Sequence, residues 1–339
     1  MKTQLTILKT QLIILLYVCI GAALWLCPTA AEGQTPIARP DLHTDTKIAP
    51  LYFGPNAFPV PDMLDDAISP TLQATVAADY HSGDFGDRAT DLFARLRLPL
   101  FSSRANLVVW LPAVEHYHLT PEWKDHARIA DNPAVDGNAV GSAFVSTDLL
   151  VLRETKRRPA IALRAAMKTA SEDSWTTARY YDCPGYFFDA SVGKQFDFEG
   201  CLLQSLRFGA SSGFLCWQTD NGRQNDATMF AFQVKGRFSL DPDRHTGPDA
   251  RTLEVSQDLR GYSGWEGDGD CPMVVKTQIA AHFPIYRHNP AEKTKKTGAP
   301  RCIISPILTY QKGLRDYPYQ QFSAGLTVDF DIFRMQRVK

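Results

Sequence analysis

The sequence predicts an all-β fold, a transmembrane antiparallel β-barrel of about 12 strands behind an N-terminal signal peptide. Three observations support this. Apolar and polar residues alternate along most of the chain after residue 71, cations lie on the polar side of that alternation, and the N-terminus is typical of an exported chain. Successive side chains of a strand point to opposite faces, so a period of two indicates a sheet with one apolar and one polar face.

The last alternating stretch, residues 322–333, shows the pattern most clearly. Every second residue is apolar: Phe322, Ala324, Leu326, Val328, Phe330 and Ile332. About ten such residues ending in an aromatic suit a membrane-spanning strand. A soluble β-sandwich or jelly roll is the alternative, but it would have to bury the arginines and lysines on the polar faces of the other strands.

The first residues predict export. Lys2 and Lys9 come before an apolar run from Leu12 to Cys27, and small residues follow as far as Ala31. A positive flank, an apolar core and small residues at a cut site describe a secretory signal peptide over residues 1–31, with an uncleaved single anchor as the alternative. The sequence after Ala31 has no long unbroken apolar stretch, which excludes a mature protein held in a membrane by helices.

The mature chain is close to neutral. Removing residues 1–31 takes away two lysines and no acids, so the formal net charge moves from -1 to -3. No basic block indicates nucleic acid as a partner. The full chain has 19 Phe, 12 Tyr and 6 Trp, a supply that suits the aromatic girdles of a membrane barrel. Nothing in the composition indicates a cofactor.

Two segments flank the barrel, which is predicted over residues 71–333. Residues 32–70 are rich in proline and polar residues, and the prolines between Leu51 and Asp62 exclude a central strand or a helix interior. We expect this lead-in to lie in the periplasm or in the lumen of the barrel. Residues 334–339 form a C-terminal tail.

Twelve stretches with strand-like alternation lie within the predicted barrel, and their even number places both barrel ends on the periplasmic side. The connections near 102–105, 154–159 and 196–202 are tight. Those at 119–143, 168–184 and 218–227 are long and polar. Short periplasmic turns and long external loops are typical of outer-membrane barrels. No helix of useful length is predicted.

The polar faces predict a charged lumen. Arg95 and Arg97 alternate with leucines, and two unshielded arginines fit neither lipid nor a dry core. A surplus of cations would favour anionic solutes, whereas the alternative is a packed, salt-bridged interior without an open channel. The lumen-lining candidates are Arg95, Arg97, Asp148, Arg164, Lys168, Asp189, Arg207, Lys235, Arg237 and Lys276.

Candidates for metal binding or catalysis are weak. His116 and His118 share one strand face, as metal ligands sometimes do, but no third ligand is apparent and no metal site is predicted. A hydrolase needs an activated Ser near a His and an acid. The sequence shows no such arrangement, and no catalytic residue is predicted. Candidate parts of such a site lie together in two places, but in neither a His-x-Ser nor a Gly-x-Ser-x-Gly arrangement: His81, Ser82 and Asp84, and Ser171, Glu172 and Ser174, the second set without a histidine.

A disulfide between Cys183 and Cys216 is geometrically reasonable, with Cys271, also expected at the external rim, as a competing partner. A turn centred near residue 199 would place the two cysteines opposite each other at the external end of one hairpin. Export permits a disulfide, although the five cysteines after residue 31 are an odd number, so at least one thiol is left over.

Several segments resemble uncharacterised outer-membrane β-barrel proteins of Bacteroidota. They are the segment from Leu51 to Asp62, the blocks YYDCPGYFFD and CWQTDNGRQND, and the last strand with its terminal Phe. The resemblance covers the whole mature chain and implies a Gram-negative outer-membrane barrel, but no substrate, reaction or catalytic residue. The tail at 334–339 departs from the usual barrel ending.

The expected function is that of a porin-like channel or passive transporter for small solutes, with anionic solutes favoured. The alternatives are an outer-membrane lipid-modifying hydrolase and a non-conducting scaffold or adhesion barrel. The expected partners are outer-membrane lipid, small solutes and the barrel-assembly machinery, and nucleic acid is not expected.

Overall fold

The computed structural model of the protein describes residues 48–65, 68, 71–100, 104–171, 175–219, 224–241, 251–265, 271–286 and 302–330. The predicted signal peptide, residues 1–31, and the predicted tail, residues 334–339, lie outside the described residues. No helix in this described part is both long and apolar enough to cross a membrane.

Thirteen strands lie within the described residues. Their bounds are β1 Leu72–Gly83, β2 Arg88–Pro99, β3 Ala105–His118, β4 Asp136–Ala139, β5 Phe144–Leu152, β6 Ala160–Lys168, β7 Gly185–Asp197, β8 Leu203–Gln218, β9 Gln224–Ser239, β10 Thr252–Gly264, β11 Met273–Ile285, β12 Cys302–Arg315 and β13 Tyr319–Phe330. All of them except β4 overlap a stretch in which alternation predicts a strand.

Twelve of these strands form one closed antiparallel barrel. Neighbours in the chain pair with each other, β3 pairs with β5 across the short β4, and β1 closes the barrel by pairing with β13 from Leu72 and Phe330 to Gly83 and Tyr319. The four-residue β4 pairs with β3 and is an addition to the wall. The predicted twelve-stranded antiparallel β-barrel is therefore confirmed.

The two faces of the wall differ in the way that the alternation predicts. On β1 and β2, the outward residues Val76 and Leu92 are 53% and 48% exposed, whereas the inward residues Asp79 and Asp91 are buried. An outward surface of this kind is typical of a wall that faces lipid. Closure also satisfies the backbone hydrogen bonds of every wall strand, which a bilayer requires.

The barrel has two rims. We call the rim where β1 begins and β13 ends the terminal rim, and the opposite one the loop rim. The long connections 119–143 and 169–184 lie at the loop rim. The connection between β8 and β9 is only 219–223, shorter than the predicted 218–227, because both strands continue pairing as far as Gln218 and Gln224.

A short helix, α1 Pro121–His126, lies in the first long loop, where the sequence predicts none. Thr120 caps it, since its Oγ1 accepts a hydrogen bond from the backbone N–H of Trp123 at 3.1 Å. Pro121 occupies the first turn, where a backbone N–H would have no helical partner. Six residues are too few to show a helical period, so the sequence carries no signal for this helix.

Residues 48–65, which we call the lumen segment, run inside the barrel from the loop rim to the terminal rim. Near the loop rim, Phe53 packs against Tyr181 with ring centroids 5.6 Å apart, and Phe58 packs against Trp217 at 6.5 Å. Farther along, Oδ2 of Asp65 lies 3.5 Å from Nζ of Lys235. Its prolines keep the segment out of the sheet, and this part of the predicted lead-in therefore fills the lumen.

Candidate functional site

A cavity of about 390 Å³ lies between the lumen segment and the inward faces of the barrel strands. Polar and charged side chains make up much of its lining. Six of the predicted lumen residues line it, namely Arg95, Arg97, Asp148, Arg164, Lys235 and Lys276. The cavity is therefore the place where a solute would meet the predicted cations.

The carboxylate of Asp62, on the lumen segment, is held by three cations of the wall. It accepts hydrogen bonds from Arg95 Nη2 at 2.7 Å, from Lys276 Nζ at 3.0 Å and from Arg260 Nη1. These donors belong to β2, β11 and β10. Charge-assisted hydrogen bonds are roughly twice as strong as neutral ones, so this one side chain fixes the lumen segment to three strands.

Arg164 of β6 connects the wall to the backbone of the same segment. Its Nη2 donates to the carbonyl oxygen of Asp62 at 2.8 Å, and its Nε and Nη2 donate to Asp189 at 2.7 and 2.9 Å. Asp189 on β7 and Asp148 on β5 both lie opposite Arg164 in the strand register. Three of the predicted lumen residues thus come together, and the fork of the guanidinium binds a carboxylate of the wall.

The cations nearer the terminal rim are paired as well. Arg207 Nη1 lies 2.7 Å from Glu154, and Arg237 Nη2 lies 3.1 Å from Glu254. Lys235 lies 3.6 Å from Glu254, in addition to its contact with Asp65. In the described part of the chain the interior is therefore strongly salt-bridged.

The charges along the cavity nearly cancel. Among the described residues that line it, six are Lys or Arg and seven are Asp or Glu. Two of the acids, Asp62 and Asp65, belong to the lumen segment, so the wall alone contributes six cations and five acids. The slight cationic surplus of the wall is neutralised by the two carboxylates of the lumen segment.

Two further residues of these lumen contacts, Arg260 and Asp62, are not among the predicted lumen-lining candidates. Arg260 is 2% exposed, and besides Asp62 it binds Asp258 at 2.8 Å and the side chain of Gln311. Its position on the polar face of β10 is a signal that alternation could have used. Asp62 has no such signal, because its Pro-rich segment has no period.

A second ion cluster lies near the loop rim, around Arg179 of the second long loop. Its Nε donates to Glu115 at 2.8 Å and its Nη1 to Asp87 at 3.1 Å, and all three side chains are fully buried. Burial disfavours the charged guanidinium, but Glu115 and Asp87 outweigh that effect, and the pKa of Arg179 is raised. The backbone N–H of Gly54 donates to the neighbouring carbonyl of Ala178 at 2.8 Å, which ties the lumen segment to this loop.

His126, at the end of α1, holds the start of the lumen segment. Its ring is stacked between Tyr52 at 4.8 Å and Phe85 at 3.8 Å, measured between ring centroids. Its Nε2 lies 3.0 Å from the carbonyl oxygen of Leu51, to which it donates when protonated there. Burial lowers the pKa of His126, so the fold favours the neutral ring.

The histidines singled out in the sequence have separate partners. His116 Nδ1 lies 3.0 Å from Asn138 and His118 Nδ1 lies 2.7 Å from Asp136, so both bridge β3 to β4 on the exposed side. The proposed hydrolase residues are not assembled around His81, which bonds to Asp91 instead. Ser82 follows His81 on β1, so it faces the opposite side of the wall. Glu172 and Ser174 lie outside the described residues.

The register of β7 and β8 differs from the one on which the disulfide prediction rests. Cys216 lies opposite Tyr186, three residues away from Cys183. Both cysteines are buried near the loop rim, and the carbonyl of Cys183 accepts a hydrogen bond from Lys168 Nζ at 2.7 Å. The pairing of Cys183 with Cys216 stays a prediction.

No protein-family model matches the chain, and no curated protein matches it. The solved structures that match include an outer membrane channel from Pseudomonas putida F1, with 11% identity over 81% of this chain and 97% of that one and a TM-score of 0.48. Another is the transport unit of the autotransporter AIDA-I from Escherichia coli, with 9% identity over 79% and 93% and a TM-score of 0.44. A third is OmpT, an outer membrane protein of Vibrio cholerae, with 8% identity over 76% and 98% and a TM-score of 0.32.

These identities and TM-scores are low, and the class of this protein rests on its own strand pairing. Closed pairing, an apolar outer face and a charged interior define a transmembrane antiparallel β-barrel with a segment of its own chain in the lumen. The resemblance to barrels of Bacteroidota stays a prediction.

Proposed function

We propose that the protein is an outer-membrane channel for small anionic solutes in which the lumen segment controls access to the pore. The observation that carries this proposal is the convergence of Arg95, Arg260 and Lys276 on the carboxylate of Asp62. The wall offers a site for an anion, and the chain's own carboxylate occupies it. An anionic solute would compete for the same charged donors.

The proposed location follows from the surface and from the predicted export signal. An apolar outer wall needs a bilayer, and a barrel that crosses the inner membrane behind a signal peptide is inserted into the outer one. The proposed partners are outer-membrane lipid on the outer face and the barrel-assembly machinery during insertion. The small solutes would pass through the lumen.

Conductance in planar lipid bilayers tests the proposal. We expect the purified wild-type barrel to give discrete openings with a preference for anions. Deletion of residues 48–65 should make the openings larger or more frequent, because it removes the segment that fills the lumen. In that deletion variant, Arg95→Gln with Lys276→Gln should reduce the anion preference.

A control separates a pore effect from a general charge effect. Lys312 is exposed on the outward face of β12, so Lys312→Gln removes a positive charge without changing the lumen. It should leave the anion preference of the deletion variant unchanged. An equal change from Lys312→Gln and from the lumen substitutions would contradict the assignment of an anion site in the pore.

A non-conducting scaffold barrel is the second candidate, because the lumen segment packs tightly against aromatic residues near the loop rim. If both the wild type and the deletion variant fold but stay silent in bilayers, the channel proposal fails and the scaffold becomes the better interpretation. Nothing in the described residues favours the hydrolase.

A further inference from the structure

Three buried side chains of β1 and β2 form a cluster in which two carboxylates face each other beside a histidine. Asp79 and Asp91 lie directly opposite each other in the strand register, and both point inward. They are 7% and 3% exposed, and His81 beside them is 1% exposed. His81 Nε2 lies 2.8 Å from Asp91 Oδ2. Like charges directly opposite in a sheet are destabilising, so this pair needs a compensating positive charge.

Besides the Ser323 hydroxyl, which is hydrogen-bonded to Asp79, the other hydrogen-bond partners of the two carboxylates are amides. Gln321 Nε2 donates to Asp79 at 2.9 Å, and Asn56 Nδ2 of the lumen segment donates to Asp91 at 2.8 Å. Neither amide carries a charge. Arg179, the buried guanidinium of the neighbouring cluster, is paired with two other acids. None of these groups neutralises the two facing carboxylates, so the compensating charge comes either from a protonated His81, 2.8 Å from Asp91, or from a bound cation that displaces this proton.

The same three side chains have lone pairs that the fold does not use. Among the described residues, Asp79 Oδ1, His81 Nδ1 and Asp91 Oδ1 are buried and lack a hydrogen-bond partner. Buried polar atoms are nearly always satisfied in native proteins, so three such atoms in one cluster indicate ordered water or a bound ion, and the two facing carboxylates favour the ion. Asp79 also lines the cavity, which gives a small ion a path to the cluster.

We propose that Asp79, His81 and Asp91 bind a divalent transition-metal cation, with Zn²⁺ as the best fit. One ligand atom from each residue can be chosen so that all three lie within 4.8 Å of one another. With bonds near 2.1 Å, ligands of one zinc ion lie about 3 to 4 Å apart, so small side-chain rotations complete the site. An imidazole with two carboxylates suits Zn²⁺, whereas Ca²⁺ takes six to eight oxygens.

The cation would also hold the lumen segment. It cancels the repulsion between Asp79 and Asp91, and Asn56 connects Asp91 to the segment as an outer-shell hydrogen-bond donor. The site does not depend on whether the barrel conducts. Its ligands come from the wall, and Asp79 and Asp91 face each other in either case.

Metal titration of the whole barrel tests the proposal. The folded protein in detergent, stripped with a chelator and dialysed, is titrated with Zn²⁺ in a calorimeter, and we expect one ion per chain. Co²⁺ in place of Zn²⁺ should give a visible absorption band. His81→Ala and Asp79→Asn should each abolish both signals. Asn56→Ala should weaken binding by roughly 10- to 100-fold, as loss of an outer-shell partner does.

A matched control addresses adventitious binding at the surface. His118 and Asp136 form an exposed pair 2.7 Å apart, and His118→Ala should leave the stoichiometry and affinity unchanged. The proposal is overturned if the wild type binds no zinc, or if binding is lost in His118→Ala and kept in His81→Ala. If His81→Ala does not fold, Asp79→Asn decides, since this variant removes the like-charge repulsion. Wild-type affinity in folded Asp79→Asn would also overturn the proposal.

Discussion

Asp62 joins the lumen segment to the barrel through four cations of the wall. Its carboxylate binds Arg95, Arg260 and Lys276, and its backbone carbonyl binds Arg164. Charged groups inside a protein are stable only when they are paired. The carboxylate and the cations of the wall therefore stabilise each other, and the pairing also determines where the segment lies.

Replacing Asp62 by Asn should weaken the attachment of the lumen segment to the barrel wall. Asp62→Asn leaves cations without their counter-charge, and the cost should be on the order of 1–3 kcal/mol, since the site is partly exposed. We expect a lower unfolding temperature in heat-modifiable gel mobility, together with more frequent openings in bilayers. Asp65→Asn is the matched control, because its 3.5 Å contact with Lys235 is long. Equal effects of the two variants would argue against a special role for Asp62.

His126 makes the loop rim sensitive to pH. Its folded pKa is lowered by burial from an unfolded value of about 6.5. Above that pH both states are neutral and the stability is complete. Below it the unfolded state takes up a proton first, so stability falls as the pH decreases. The protection factors of the α1 amides, which correct for the intrinsic pH dependence of exchange, should therefore decrease between about pH 7 and pH 5. In His126→Gln, which does not titrate, that decrease should be absent.

At the scale of elements, the lumen segment and the second long loop approach each other closely at Gly54. A Cβ on this residue would lie 2.4 Å from the carbonyl oxygen of Arg179. The backbone N–H of Gly54 donates to the adjacent carbonyl of Ala178. A glycine is needed here because two backbones are in contact, not because of an unusual dihedral angle.

Gly54→Ala should push the lumen segment away from the loop. Forcing a methyl group into a packed contact costs about 1–3 kcal/mol, and we expect faster proteolysis of the lumen segment in the folded barrel. Gly236→Ala is the control, since the added Cβ would meet the end of the Phe238 ring at 3.2 Å rather than backbone. Unchanged proteolysis in Gly54→Ala would show that the contact has no role in holding the segment.

At the scale of the whole molecule, the outward face determines the solvent in which the protein is stable. Leu308 and Leu314, both on β12, are 62% and 52% exposed. Leu308 lies in the middle of the strand, and Leu314 lies next to its end at the loop rim. In a bilayer these two positions meet different depths of hydrocarbon, whereas in water they would be equivalent.

Arginine substitution at these two positions measures that difference. Leu308→Arg should destabilise the folded barrel by about 2–4 kcal/mol, and Leu314→Arg by about 0–1 kcal/mol, because the cost of a charge depends on its depth in the membrane. Folding titrations in lipid vesicles give both values. Two equal, small values would contradict a wall that spans a bilayer.

The strands and their orientation were predictable because period two needs no knowledge of distant contacts. Wherever apolar and charged residues alternate, as around Arg95 and Arg164, the two environments show in the sequence itself. The short β4 and α1 give no such signal, since four and six residues are too few for a period.

The contacts inside the lumen were not predictable in the same way. Asp62 and Lys276 are separated by 214 residues, and only closure of the barrel brings them together. The register around Cys183 and Cys216 differs from the expected one for a related reason. The register of a hairpin depends on where its turn lies, and a small shift of that turn places Tyr186 opposite Cys216.

The path of the lumen segment has a consequence for biogenesis. The segment precedes β1 in the chain, yet it lies within a ring of strands that β1 and β13 seal. Had the ring formed first, a proline-rich, aromatic stretch would have to be drawn lengthwise through a narrow, charged tube. We therefore expect β1 and β13 to pair last, after the lumen segment has already bound to the inner face of the curved sheet.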